Sequence, residues 1–291
     1  MCGCHEGGLK TVVGLIEAGY CFESFVCLTP EQAKKYQVSG YYDYRELAKS
    51  NGIEVYIPKS YSLKSKEDLE FFQTKRFDLL IQGGWQRLFP AKILETLKVG
   101  ALGLHGSADL LPKGRGRSPM NWSLIENRKR FLMHLFLIKP GVDDGDVIAV
   151  KDYEITNYDD IETLYFKYSI VYRQLLLENL PTILSGNFSV IPQLGEPTYY
   201  KKRTPQDGHI DWETMDVFQI YNLVRATTRP YPGAFAQVGA DLIRIWHCRP
   251  FDSRIIYSDV RYGEIVERFE NRLLINCRGG LLLVDEWEPF R

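Results

Sequence analysis

The chain has 291 residues, 45% hydrophobic and 25% charged, which suits a soluble globular protein of one large domain or of a larger and a smaller one. No apolar run reaches the ~18–20 residues that span a bilayer, and no basic segment followed by an apolar one opens the chain, so membrane insertion and secretion by a signal peptide are not expected. A net charge of −1 argues against a broad nucleic-acid footprint, which needs clustered basic residues, but leaves room for a local phosphate pocket.

The chain opens on CGCHEGG, a Gly-rich turn from Gly3 to Gly8 ahead of a helix from about Leu9 to Ala18. In a doubly wound sheet such a turn follows a first strand, yet only Met1 and Cys2 precede it, so that strand is either very short or missing. Gly7 and Gly8 allow two readings, a cradle for a substrate phosphate at a helix N-terminus or tight strand–helix packing. Cys2, Cys4 and His5 are metal-ligand types, but no second cluster follows at a zinc-like spacing, and no metal is expected. The six cysteines are too sparse and irregular for a disulfide framework, which points to a reducing cytoplasmic setting.

Phe22–Leu28 reads as a strand, Tyr44–Asn51 as a short helix ended by Gly52, and Ile53–Ile57 as another strand. Lys66–Gln73 is helical, Phe77–Gln82 is a buried strand running into Gly83–Gly84, Pro90–Leu97 is a helix, and Ala101–His105 is the next strand. This alternation specifies an α/β domain with a parallel sheet. Leu132–Ile138 and Val147–Tyr153 flank an acidic loop as a hairpin, and a long helix runs from Asp159 to about Leu177, with Leu180–Gly186 leaving it. Met215–Ala226 is a helix with a Leu/Ile/Val stripe, and after Pro232–Gly233 short alternating runs signal an antiparallel β module.

The chemistry concentrates between Gly103 and Asp146. His105 follows an apolar strand and adjoins a Gly/Ser/Pro/Lys/Arg-rich loop, and the acidic loop carrying Asp143, Asp144 and Asp146 follows later in the chain. Open α/β sheets build active sites from such groups placed just after strands. A metal on the acidic triplet is not favoured, because the further spaced ligands and the Glu of an EF-hand are missing.

Three blocks resemble the folate-dependent formyltransferase superfamily, and within it the methionyl-tRNA and sugar-nucleotide enzymes. HGS…LLPKGRGRSP, from His105 to Pro119, is similar to the family's HxSLLPxxRGxxP loop. VDDGD, from Val142 to Asp146, is similar to its LDxGD loop, and DGHIDW…IYNLVRATTRPYPGAF, from Asp207 to Phe235, resembles the junction between its catalytic and C-terminal domains. The resemblance implies a Rossmann-like formyltransferase domain over residues 1–200, then a linker helix and an OB-like module over 201–291. It also implies 10-formyltetrahydrofolate as co-substrate.

One departure stands out. The family's Asn-x-His pattern has its Asn two residues before the His, and here that position is Gly103; Ala108 and Asp109 also interrupt the HxSLLP loop. The missing amide would hydrogen-bond the tetrahedral oxygen, and losing such a donor costs about 10²–10³ in rate. Asn121 is a candidate substitute that also reads as an ordinary helix-face residue.

Formyl transfer needs an amine that loses a proton as it attacks and a folate nitrogen that gains one as it leaves. A histidine does both near neutral pH, and a carboxylate sets its charge and orientation. The resemblance makes His105 that group and Asp143 its partner, while Asp144 and Asp146 also read as an acidic turn. It places the pterin against Gly84, Trp85, Arg87 and Leu88 of the Gln82–Pro90 loop, with Pro140 and Gly141 opposite, although Trp85 also reads as core. Ser107, Lys113, Arg115 and Asn121, with Gly7 and Gly8, are the candidate substrate contacts, the arginine suiting an anion bidentately.

A tRNA-directed enzyme is expected to carry an extended basic insertion after the second strand. Here that region is TPEQAKKYQVSGYYDY, short and tyrosine-rich, so a nucleotide-linked amino sugar is the favoured acceptor over nucleic acid, and a homodimer is left open. A methionyl-tRNA formyltransferase, or a sugar-nucleotide- or folate-binding homologue without turnover, are the alternatives.

Overall fold

The structure is a computed structural model that describes residues 1–38 and 40–290. In chain order the elements are β1 Cys2–Gly3, α1 Glu6–Glu17, β2 Ser24–Val26, α2 Pro30–Lys35, α3 Arg45–Ser50, β3 Glu54–Tyr56, α4 Lys66–Lys75, β4 Leu79–Gly83, α5 Ala91–Leu94 and β5 Gly100–Ser107. They continue with β6 Arg115–Gly116, α6 Pro119–Ile125, β7 Arg130–Leu137, β8 Val147–Glu154, α7 Ile161–Leu184 and β9 Tyr199–Tyr200. The last are α8 Val217–Thr227, β10 Ala234–Val238, β11 Asp241–Asp252, β12 Ile265–Phe269, β13 Arg272–Cys277 and β14 Gly280–Pro289.

Contacts divide the chain into two compact units, the first made of Met1–Arg115, Leu132–Tyr153 and Lys167–Thr198. The second holds the chain from Tyr199 on, together with Gly116–Phe131 and Glu154–Phe166.

The first unit is built on a seven-stranded sheet in the order β3-β2-β1-β4-β5-β7-β8. Neighbours from β3 to β5 run parallel, whereas β7 runs antiparallel to β5, so the sheet is mixed and the strands read as a hairpin complete its far side. The first strand is present but only two residues long, between β2 and β4. Side chains alternate across the strands as a pleat requires. Phe25 and Ile81 join Val12, Leu15, Leu102 and Leu176 in one apolar cluster, while their neighbours Val26 and Leu80 join Phe72, Trp85 and Ile93 in another.

Two helices differ from the sequence reading. Helix α1 starts at Glu6 rather than Leu9 because the His5 ring caps it, Nδ1 accepting from the Gly7 amide at 3.1 Å. Helix α7 does not end near Leu177 but runs through Pro181 to Leu184. Burial of Leu180 and Ile183 against the sheet outweighs the proline's lost hydrogen bond. The short helices α2 and α6 had no periodic stripe long enough to read, although each carries a proline in its first turn.

The second unit is an antiparallel sheet in the order β10-β11-β14-β13-β12. Its inner face packs Ile243, Ile245, Ile275, Leu282 and Val284 against Ile220, Leu223 and Val224 of α8. A capping box at Asp216 and Gln219 starts that helix. Among the described residues no helix is long and apolar enough to cross a membrane.

Candidate active site

Strand β5 carries His105 and pairs it with His134 of β7. The His134 ring is buried, and each nitrogen has one partner: Nε2 accepts from the Leu111 amide at 3.3 Å, so Nδ1 carries the proton and faces the His105 carbonyl at 3.3 Å. Burial, then the nearby His105 ring, lowers the His134 pKa from 6.5 to about 4, a backbone hydrogen bond opposing the shift. Because the unfolded chain binds this proton and the folded one does not, stability is full above about pH 6.5 and falls towards pH 4, by about 3 kcal/mol in total. His134→Gln keeps an acceptor and a donor without the titration. Urea unfolding at pH 4 and pH 7 is expected to show a smaller acid loss in the variant than in the wild type, and equal losses would refute the assignment.

His105 is 8% exposed, and both of its ring nitrogens face oxygens. Nε2 lies 2.8 Å from the Gly114 carbonyl, which only accepts, so that nitrogen carries a proton. Nδ1 lies 3.4 Å from Oδ2 of Asp143, longer than a well-formed hydrogen bond but within ion-pair reach. A ring protonated on both nitrogens serves both oxygens, and a singly protonated one serves only one. Asp143 sits in the left-handed region at φ 49°, which short polar side chains tolerate best.

The loop after β5 is tied from two sides. Ser107, buried, donates through Oγ to the Lys113 carbonyl at 2.9 Å and accepts from the Asp109 amide at 3.2 Å. Thr198 Oγ1 accepts from the Gly114 amide at 2.8 Å, which aims the Gly114 carbonyl at His105. The Arg115 guanidinium donates to Oε1 of Gln193, whose amide nitrogen donates to the Asp143 and Gly145 carbonyls. Neither Gln193 nor Thr198 was visible as a site residue, since both lie in an unpatterned polar segment.

Several candidate contacts stand elsewhere than the sequence suggested. The Gly7 and Gly8 amides are bonded to His5, to its ring and its carbonyl, so they form no phosphate cradle. A Cβ on Gly8 would stand 2.4 Å from the Gly83 oxygen, and close packing is what this glycine serves. Asn121 lies in the second unit, buried, with its amide donating to the Ala226 carbonyl at 2.7 Å, so its donor is not available as a substitute for the missing Asn. The Ser107 hydroxyl is engaged within its own loop rather than presented to a substrate. Lys113 is exposed and Arg115 is 9% exposed.

In the Gln82–Pro90 loop Trp85 is core, 3% exposed with its ring edge-on to Tyr61 at 4.7 Å, and so it is not an open apolar wall. Arg87 is exposed and stacks over Tyr61 at 4.6 Å, and Leu88 is 53% exposed. Gly84 has φ 78° and its carbonyl accepts from the Cys4 thiol at 3.6 Å. Pro140 is exposed, and the Asp144 carboxylate packs where a side chain on Gly141 would go.

Gly103 is filled from its neighbours. A Cβ there would meet Cγ1 of Ile138 at 2.8 Å and Cζ of Phe136 at 2.9 Å. Trp85 Nε1 and Asp144 Oδ1 are both buried with no hydrogen-bond partner, one donor and one acceptor. Such orphaned groups are rare without a ligand or water to satisfy them. Among the described residues no three His, Cys, Asp or Glu side chains are grouped to hold a metal ion.

Two family models match the chain, "Formyl transferase" over residues 29–180 and "Formyl transferase, C-terminal domain" over 202–290. The chain is 30% identical over 277 residues to a methionyl-tRNA formyltransferase of Enterococcus faecalis, covering 94% of this chain and 86% of the relative. Among solved structures it is similar to an N-formyltransferase from Helicobacter canadensis in complex with folinic acid and dTDP-3-aminofucose. That likeness has a TM-score of 0.69 at 17% identity and covers 99% of this chain and 98% of the other. The sugar 3N-formyltransferase WlaRD, solved with dTDP and 5-N-formyl-THF, matches with a TM-score of 0.70 at 17% identity over 97% of this chain and 94% of its own. HypX from Aquifex aeolicus matches with a TM-score of 0.62 at 20% identity over 85% of this chain but 42% of HypX, so the chain spans less than half of that protein. On the two family models and the 30% identical relative, this chain belongs to the formyl transferase family of formyl-transferring enzymes.

Proposed function

We propose that the chain transfers a formyl group from 10-formyltetrahydrofolate to the amine of a nucleotide-linked amino sugar, with His105 and Asp143 as the catalytic pair. The observation that supports the reaction is the ring–carboxylate pair at the end of β5, Nδ1 3.4 Å from Oδ2. The donor supplies a formyl group that is already an activated amide, so no covalent enzyme intermediate is needed. Asp143 holds the imidazolium by charge; the ring gives its Nε2 proton to the departing folate nitrogen and, with that nitrogen then free, takes the proton the amine gives up, so it ends as it began. Nε2 must leave the Gly114 carbonyl for its proton to face a reactant. The charged ring also offers a donor to the tetrahedral oxyanion, at a site that lacks the family's Asn.

The orphaned Trp85 Nε1 lies in one segment expected to hold the folate, the orphaned Asp144 Oδ1 belongs to the carboxylate packed against Gly141 of the other, and a pterin carries both donors and acceptors, so the residues fit the group. Gly84, Arg87, Leu88, Pro140 and Gly141 would line it through backbone and apolar contact, and Lys113 and Arg115 would meet anionic groups.

The acceptor rests on the short Thr29–Tyr44 segment, which carries no extended basic insertion, and on the net charge of −1. Structural neighbours solved with dTDP-3-aminofucose and with dTDP support it. A second reading, methionyl-tRNA as acceptor, is favoured by the 30% identical relative. The test incubates the protein and 10-formyltetrahydrofolate with a dTDP-linked 3-amino sugar and, separately, with charged initiator tRNA. Formylated sugar nucleotide supports the proposal, and formylated tRNA with untouched sugar overturns it.

A further inference from the structure

The segment that leaves α7 looks like a plain connector. Ile191 and Leu194 are 67% and 83% exposed, and the stretch has no regular structure of its own. Yet it runs back along the sheet, with Ile191 exchanging backbone hydrogen bonds with Val147 at 2.7 and 2.9 Å, just after the acidic loop. From there Gln193 turns its side chain inward and is half-buried.

The amide end of Gln193 meets two carbonyl oxygens, Asp143 at 2.8 Å and Gly145 at 2.7 Å, and the other end meets Nε and Nη2 of Arg115 at 3.1 and 2.6 Å. These partners fix which end is nitrogen: carbonyls need a donor and a guanidinium needs an acceptor. No aliphatic or singly functional side chain satisfies both ends. The two carbonyls flank Asp144, so the amide grips the turn in which Asp143 adopts its left-handed backbone. Arg115 stands at the far end of the loop whose Gly114 carbonyl faces His105.

We infer that Gln193 is a positioning residue for formyl transfer, one amide that clamps the acidic loop to the basic loop and so sets Asp143 against His105. It touches neither reactant and acts through Asp143. The inference rests on the assignment of His105 and Asp143 as the reacting pair. A loop displaced by about 1 Å is enough to cost on the order of 10²-fold in rate, which makes the clamp worth building.

The test has two arms, both on the full chain. In the first, Gln193→Met, Asp143→Asn and the double variant are assayed with 10-formyltetrahydrofolate and a dTDP-linked 3-amino sugar. The expected result is a kcat about 10–100-fold lower for Gln193→Met, with KM for either substrate changed by less than about 3-fold. The double variant is expected to be no slower than Asp143→Asn alone, because the clamp has nothing left to position. A residue with a merely structural role lowers stability and gives independent, multiplying effects.

In the second arm, crystal structures of the wild type and Gln193→Met are compared. The Asp143 carboxylate is expected to withdraw from His105 in the variant. If Gln193→Met does not fold, Gln193→Asn, an amide one methylene too short to reach both loops, takes its place. Multiplying effects, an unchanged kcat, or an Asp143 carboxylate still beside His105 overturns the inference. If the wild-type protein formylates no amino sugar, the acceptor reading fails, and the crystallographic arm alone then decides the role of Gln193.

Discussion

His105→Gln is expected to lower kcat for formyl transfer by about 10²–10⁴-fold, the range that a positioned acid–base group contributes. Glutamine still offers an amide N–H to the Gly114 carbonyl that Nε2 meets at 2.8 Å, so the loop after β5 keeps its anchor. What disappears is the ability to carry a proton between amine and leaving nitrogen and to present a positive charge to Asp143. The decisive measurement is kcat with saturating donor and acceptor, beside a thermal melt. A variant that melts like the wild type and turns over within about 5-fold of it would remove His105 from the mechanism. Since the ring is 8% exposed, the melt is needed to separate lost chemistry from lost packing.

Gly103→Asn, which restores the family's Asn-x-His pattern, is expected to damage the protein rather than improve it. The new Cβ would stand 2.8 Å from Ile138, just past the end of β7, and 2.9 Å from the Phe136 ring on that strand. Overpacking of this kind costs about 1–3 kcal/mol. Chemical unfolding is expected to show that loss, with formyl transfer no faster than wild type. A variant of native stability and higher kcat would show that the position is a vacancy after all. Phe136 and Ile138 crowd the position that the Cβ of any side chain at 103 would take. The substitution at 103 is therefore coupled to the packing around it.

Much of the first unit was legible because the segments holding most of its strands are runs of five to seven largely apolar residues between caps and turns, although β1, β2 and β3 themselves span only two or three residues. His105 and Asp143 stood out for the same reason, His105 near the end of such a run and Asp143 in the loop that follows another. What escaped the sequence falls into two kinds. Helix α7 continues past Pro181 because tertiary burial of Leu180 and Ile183 outweighs a local breaker. Gln193, Thr198 and His134 carry no periodicity and no motif, and they matter only through partners distant in sequence: Asp143, Gly114 and His105. Gly7 and Gly8 misled in the opposite direction, since a Gly-rich turn before a helix has the same composition whether it cradles an anion or admits a carbonyl at close range. In this chain the His5 ring and the Gly83 oxygen decide the matter.

The route of the chain after α7 bears on how this enzyme can be dissected. A fragment stopped at Leu184, where the last sheet-covering helix ends, would contain every strand of the seven-stranded sheet and both members of the proposed reacting pair. It would nonetheless lack Ile191, Gln193 and Thr198, the three points at which the departing chain stitches the acidic and basic loops to the sheet. Portability of the first unit thus depends on fourteen residues that look like spacer, from Ser185 to Thr198, and a transplantable module has to be cut after them.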